Sequence, residues 1–310
     1  MNKVIVIAGP TAVGKTSLSI KLAKELGGEI VSADSMQVYK TLDIGTAKPS
    51  QSEMEGITHH MLDVCEPDIR YSVADYVQAA SQAVNSIFDK GKLPIIVGGT
   101  GLYIDHLLFE TDFNEGDSNP ELRKKLQEKA EQLGGAELRK ELYSVDPESA
   151  ERLHDNDVRR IIRALEFYYV TGKTITDHNK NNTLNSPRFQ FDYFVLQCSD
   201  RSVLYNRINT RVDVMMNNGL LEEAERVCNA EWFTNSTASQ AIGYKEFLNY
   251  FNGTSSLNEC VELLKQHSRN YAKRQLTWFR AKEYADFLNV DVEESPFDTV
   301  ISKIQKGLKC

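Results

Sequence analysis

Five cysteines, at positions 65, 198, 228, 260 and 310, are scattered along 310 residues with no Cys-x-x-Cys spacing. That excludes the common zinc-site patterns and a disulfide framework, and it suits a reducing, cytosolic compartment. No apolar run approaches the roughly 20 residues of a membrane-spanning helix. The first apolar run, Val4 to Ala8, is too short for a signal-peptide core and ends in a glycine loop, so it reads as a core strand. An excess of positive charge is missing too: the formal net charge is −8. An acidic total argues against indiscriminate nucleic-acid binding and leaves room for a local basic surface. The length suggests about two domains with a full α/β core.

What is present centres on Gly9, Pro10, Thr11, Ala12, Val13, Gly14, Lys15 and Thr16. This stretch fits G-x-x-x-x-G-K-[ST], the phosphate-binding loop, and it lies between an apolar strand and a helical pattern marked by Leu18, Leu22 and Leu26. Glycines let backbone N–H groups curl around phosphate oxygens, the helix N-terminus adds partial positive charge and Lys15 adds a full one. Thr16 is placed to ligate Mg²⁺. The motif specifies a diphosphate or triphosphate without saying which.

A second strand, 29–32, predicts Asp34 at a strand's carboxyl end, where ligands bind in open α/β sheets. Position alone leaves two readings of Asp34, chemistry beside the phosphates or a turn-capping aspartate. Residues 42–49 read as a loop. His59 and His60, adjacent on a strand, would face opposite ways and read as structural. Ser72 caps a predicted helix to about Lys90, with Val73, Tyr76, Ala80, Ala83 and Ile87 on its inner face. A third strand, 93–97, runs into Gly98-Gly-Thr-Gly-Leu-Tyr103, whose glycines permit close approach by a ligand or by neighbouring backbone.

From about Phe113 to Asn185 strand signals fade and helix formers dominate, with helices predicted over 120–133, 136–143 and 157–171 and a polar loop over 179–187. The 3.6-residue period puts Val158, Ile161, Ile162, Leu165, Tyr168 and Tyr169 inward. Arg159, Arg163 and Glu166 are then expected on the outer face, with Arg160 at its edge. The expected organisation is a phosphate-loop α/β core (1–112 and 187–310) carrying an all-helical insertion (113–186), with a strand at 189–197 restarting the core. In the helix 201–216, Arg207 and Arg211 share a face, either closing over phosphates or forming surface ion pairs with Asp213 and nearby acids. A last long helix, 257–282, carries six Lys or Arg and no acid from Lys265 onward, with Tyr271, Trp278 and Phe279 interleaved. Such a stripe suits single-stranded nucleic acid; equally, its rings could be core and its charges a solvated face.

Together these stretches resemble the bacterial tRNA dimethylallyltransferase (tRNA isopentenyltransferase) family: GPTAVGKT (9–16), DSMQVY (34–39), DIGTAKP (43–49), GGTGLY (98–103), RRIIRALE (159–166), RINTRVDVMMNNGLLEE (207–223), QAIGYKE (240–246) and AKRQLTWFR (272–280). Val13 departs from the serine of many members, and its backbone N–H serves the phosphate equally. The resemblance implies transfer of a dimethylallyl group from dimethylallyl diphosphate to N6 of adenosine 37, beside the tRNA anticodon, with Mg²⁺ as cofactor. It implies Asp34 as general base, with Thr16 and Arg211 completing the catalytic set and residues 9–16 binding diphosphate. Ser35, Met36, Gln37 and Thr100 would hold the flipped adenine. Arg159, Arg160, Ile161, Ile162 and Arg163 would grip the RNA. So would Gln240, Ala241, Ile242, Gly243, Tyr244 and Lys245, and Lys273, Arg274, Gln275, Trp278 and Arg280. A monomer without a membrane association is expected. The competing readings are a small-molecule kinase using ATP, an isopentenyltransferase acting on free nucleotide, and a non-enzymatic RNA-binding module.

Overall fold

The computed structural model describes residues 2–109, 119–181 and 186–307. The expected boundary at 112/113, residues 182–185 of the polar segment and Cys310 lie outside the described residues. The chain divides into two compact units, one of residues 1–108 with 188–310 and one of residues 109–187.

The first unit opens with β1 (Lys3–Ala8), α1 (Lys15–Leu26), β2 (Gly28–Ala33), a one-turn α2 (Gln51–Met54) and β3 (His59–His60). It continues through α3 (Val73–Asp89), β4 (Leu93–Gly98) and α4 (Gly101–Leu108). After the second unit come β5 (Gln190–Gln197), α10 (Arg201–Asn217), α11 (Leu220–Cys228), α12 (Leu248–Phe251), α13 (Leu257–Arg280), β6 (Asp286–Asn289) and α14 (Pro296–Gly307). The six strands pair in parallel in the order β3-β2-β4-β1-β5-β6. Parallel sheets are covered on both faces, and β1 shows it: Val4 through Ala8 have no exposed surface. Ile5, Ile7, Leu22, Ile95, Phe194 and Ile208 belong to one core that joins the sheet to α1 and α10.

The register aligns three strand ends. Ala33 pairs with Gly98, and Gly98 pairs with Ala8. The carboxyl ends of β2, β4 and β1 are therefore flush, so Asp34, Gly99 and Gly9 leave the sheet at one level. At the sheet's other end Glu29 is buried on β2 and meets Lys92 at 2.8 Å, His60 at 2.8 Å and Lys90 at 3.1 Å. Burial alone would raise the Glu29 carboxyl; these three partners bring it down to about 2. His60 is thus a structural partner, and His59 Nδ1 lies 2.9 Å from the Ile57 carbonyl.

The expected α3 is present with a Ser72–Asp75 capping box. Its buried face is Tyr76, Val77, Ala80, Val84 and Ile87 rather than one including Val73 and Ala83. Tyr76 sets that rotation: it stacks on Tyr103 of α4 at 4.0 Å and donates to the Ser32 carbonyl at 3.0 Å.

The second unit consists of α5 (Pro120–Leu133), α6 (Gly135–Val145), α7 (Pro147–Arg152), α8 (Val158–Thr171) and α9 (Ile175–Asn181). Residues 179–181, expected in a loop, extend α9 instead. Leu126, Leu138, Leu142, Ile161, Ile162 and Leu165 form its own core. Two side chains of α8 depart from the expected faces. Glu166 is fully buried: it accepts from Arg123 Nη2 at 2.6 Å and from the Asn119 N–H at 2.9 Å. Tyr169 is 46% exposed, with its hydroxyl donating to Glu141 at 2.7 Å. Both α5 and α6 pack on α8, so it is enclosed over a wider arc than a one-sided amphipathic helix, and Arg123 compensates the charge enclosed.

Candidate active site

The phosphate loop turns on Gly9 (φ 143°), Ala12 (φ 63°) and Gly14 (φ 98°) before α1 begins at Lys15. Gly14 gives α1 no side-chain cap, so the first N–H groups of a 12-residue helix face the cavity undiminished. Lys15 Nζ donates to the carbonyls of Gly9 at 2.9 Å and Pro10 at 2.6 Å. Its ammonium is pulled down to about 7 by burial and by the neighbouring Arg211, against an opposing pull from Asp34. Val13 is buried, which leaves its backbone as the group available to a ligand.

Asp34 opens the turn after β2, where it caps the turn and also lines the cavity. Its Oδ1 accepts from the Met36 N–H at 2.9 Å and from the Gln37 N–H at 3.4 Å. Those bonds engage one oxygen of the carboxylate. Thr100, two residues past the flush end of β4, accepts from the Ser35 N–H at 3.0 Å. Gln37 is turned inward, donating to the carbonyls of Thr46 and Ala47 at 3.1 Å each.

Arg211, from α10, donates to Thr11 Oγ1 at 3.3 Å and to the Ala47 carbonyl at 3.5 Å. The acid expected to engage the arginine pair at the surface, Asp213, instead meets Lys265 at 2.9 Å. Burial lowers the Arg211 guanidinium while Asp34 and Glu53 raise it, so a cation is held just where the phosphate loop opens. Arg207 remains exposed at the rim of the same cavity.

The GGTG turn owes its glycines to protein neighbours. A Cβ on Gly99 would stand 2.0 Å from Gln275 Nε2. Gln275, buried on α13, donates to the Gly99 carbonyl at 3.0 Å and accepts from the Thr11 N–H at 3.0 Å. It therefore ties α13 to both the phosphate loop and the turn after β4. Tyr271, one turn earlier, also lines the cavity.

The cavity these groups enclose measures about 1010 Å³ and lies within the first unit. It brings together the phosphate loop, Asp34, Ser35, Met36, Gln37, Arg211, Gln240, Ala241, Ile242, Lys245, Arg274 and Gln275. The basic stripe of α13 divides. Lys265 is bound to Asp213 and Glu262, Lys282 to Asp105 at 2.6 Å and Arg269 to Asn209 at 2.7 Å. Lys273, Arg274 and Arg280 are exposed, Trp278 is 41% exposed and Phe279 is core.

Several of the expected RNA-contacting side chains face inward. Ile161 and Ile162 are core of the second unit and hold Arg159, Arg160 and Arg163 at its surface. Gly243 and Tyr244 are buried in the first. Sequence reasoning does not single out Glu223, Glu246 or Tyr271 as site residues. Glu223 and Glu246 fall within the family-like stretches, yet a glutamate's burial leaves no mark in one sequence.

The model of the IPP transferase family matches residues 37–282 of this chain. A protein named tRNA dimethylallyltransferase from Acetivibrio thermocellus is 46% identical over 309 residues, covering 100% of this chain and 97% of its own. A Staphylococcus epidermidis crystal structure named tRNA delta(2)-isopentenylpyrophosphate transferase is similar at TM-score 0.71 and 40% identity, covering 99% of both chains. Crystallographic snapshots described as a eukaryotic dimethylallyltransferase acting on tRNA are similar at TM-score 0.81 and 33% identity, covering 98% of this chain and 78% of that one. With its phosphate loop, its parallel sheet and these relatives over nearly its full length, the chain belongs to the IPP transferase family.

Proposed function

We propose that this protein transfers a dimethylallyl group from dimethylallyl diphosphate to N6 of adenosine 37 in the tRNA anticodon loop and releases diphosphate. The observation that carries this reading is the shared cavity. A phosphate loop, a half-buried arginine and a carboxylate at flush strand ends line one space of about 1010 Å³, enough for an adenine and a diphosphate ester.

The chemistry follows from those groups. The adenine amine is a weak nucleophile because its lone pair is delocalised into the ring. As N6 bonds to C1 of the allyl group, its proton passes to the carboxylate of Asp34. The C1–O bond breaks and its electron pair leaves with diphosphate. Lys15, Arg211, the Gly14–Thr16 amides and the α1 N-terminus meet that growing charge. Among the described residues no three His, Cys, Asp or Glu side chains are grouped to hold a metal ion. Mg²⁺ takes few protein ligands, and the exposed Thr16 hydroxyl on the cavity wall would hold it. When bound, Mg²⁺ neutralises charge on the leaving diphosphate. Ser35, Met36 and Thr100 are assigned to the flipped adenine; the exposed Lys273, Arg274, Trp278 and Arg280, with Arg159, Arg160 and Arg163, are assigned to the RNA backbone and bases.

The test is parallel incubation of an anticodon stem-loop and of AMP with labelled dimethylallyl diphosphate, followed by mass spectrometry. Transfer to the stem-loop adenosine with little or none to AMP is expected. Comparable catalytic efficiency on AMP overturns the tRNA assignment and favours a nucleotide-modifying enzyme.

A further inference from the structure

Glu223 stands on α11 and is 6% exposed. Its Oε2 accepts from the Ile44 N–H at 3.0 Å, and its Oε1 from the Gly45 N–H at 2.9 Å and from the Tyr244 hydroxyl at 2.9 Å. A buried carboxylate taking two consecutive backbone N–H groups is a clamp on that backbone. Tyr244 completes it from the other side. Its fully buried ring leaves no room at residue 45, where a Cβ would come within 2.6 Å of the ring. Burial and the Glu223 carboxylate push the Tyr244 phenol well up, so it remains a hydrogen-bond donor throughout the physiological range. The clamped segment ends in Ala47, whose φ of 52° is unusual for a residue with a side chain and must be held in place by its surroundings.

Two groups of the proposed reaction rest on that segment. The Ala47 carbonyl accepts from Arg211 at 3.5 Å and from Gln37 Nε2 at 3.1 Å, and the Thr46 carbonyl accepts from Gln37 as well. Gln37 belongs to the turn that donates to Asp34. We infer that Glu223 is a positioning residue: by clamping residues 44–45 it holds the cavity wall that orients both the Arg211 guanidinium and the turn carrying Asp34. Glu223 touches no substrate; its effect is relayed through the Ala47 and Thr46 carbonyls. This inference rests on the functional reading above, in which Arg211 meets the diphosphate.

Inorganic diphosphate is a probe that needs no transfer chemistry. In Glu223→Gln, an amide N–H₂ replaces one accepting oxygen and opposes a backbone N–H. Diphosphate affinity is expected to fall with Arg211 present and to change little further on an Arg211→Lys background. In the transfer assay kcat is expected to fall roughly 10- to 100-fold, as misplacement of a reacting group does. KM for the stem-loop should remain near that of the unaltered protein. A merely structural role predicts a lowered melting temperature with penalties that multiply independently of Arg211, and that result overturns the proposal. If Glu223→Gln does not fold, Tyr244→Phe retains the ring, removes one hydrogen bond, and is expected to show a smaller effect of the same sign and the same dependence on Arg211. Unaltered protein that binds diphosphate but transfers nothing would sink the functional reading alone, while the diphosphate comparison still decides the role of Glu223.

Discussion

At the scale of single residues, Asp34 and Lys15 carry the sharpest expectations. Asp34→Asn keeps the side-chain oxygen that accepts from Met36 and Gln37, so the turn should persist while the proton acceptor is lost. Single-turnover transfer should drop by about 10²–10⁴-fold with RNA affinity intact. A normal rate would reduce Asp34 to its turn-capping role. Lys15 predicts a pH dependence. Its ammonium is held near 7 by burial and by Arg211, and bound diphosphate, being anionic, raises it again. Below about pH 7 the lysine is already charged and affinity is at its maximum. Above that, binding must take up a proton, so diphosphate affinity should weaken by up to about tenfold per pH unit until the raised value is reached. In Lys15→Ala this dependence should vanish along with much of the affinity. Calorimetry in buffers of different ionisation heat reads the proton directly; no uptake at pH 8 would contradict the assignment.

At the scale of elements, α13 shows how one helix serves several purposes. Phe279 and Ala272 anchor it in the core, Gln275 reaches the phosphate loop and the Gly99 turn, and Lys273 and Arg274 face solvent. Neutralising Lys273 and Arg274 to Gln should therefore weaken tRNA binding and flatten its salt dependence by about 0.7–0.9 log units for each phosphate no longer neutralised. Dimethylallyl diphosphate binding should be unaffected by the Lys273 change, since Lys273, unlike Arg274, does not line the cavity. An unchanged salt slope would make this an idle face. The six cations of this stripe look alike in sequence. Glu262 on α13 itself reaches Lys265, but Asp213 and Asp105, which engage Lys265 and Lys282, come from α10 and α4, and the stripe's own sequence carries no sign of them.

At the scale of the whole molecule, the division into two units separates the chemistry from part of the proposed RNA surface. The second unit has its own apolar core, so its surface arginines can be changed without disturbing the cavity. Replacing Arg159, Arg160 and Arg163 with Ala should impair the stem-loop reaction, chiefly through KM, and leave diphosphate affinity as it was. Melting temperature should change little for Arg159 and Arg160, which are exposed. A triple variant with unaltered stem-loop kinetics would remove α8 from the RNA-binding surface.

The local code of the chain determined much of this protein. Apolar runs bounded by glycine specify β1, β2 and β4, and capping boxes specify where α3 and α13 begin. The phosphate loop is legible because its mechanism depends on backbone conformation and on residues within eight positions of one another. Other features depend on partners far away in sequence. The four-residue β6 is too short to carry a period and exists because a neighbouring strand supplies its hydrogen bonds. Glu166, Glu223 and Gln275 are polar residues that a single sequence assigns to the surface. Only the tertiary structure buries them, because burial of a polar group is stable once distant donors and acceptors satisfy it: Arg123 for Glu166, the 44–45 backbone and Tyr244 for Glu223, Thr11 and Gly99 for Gln275.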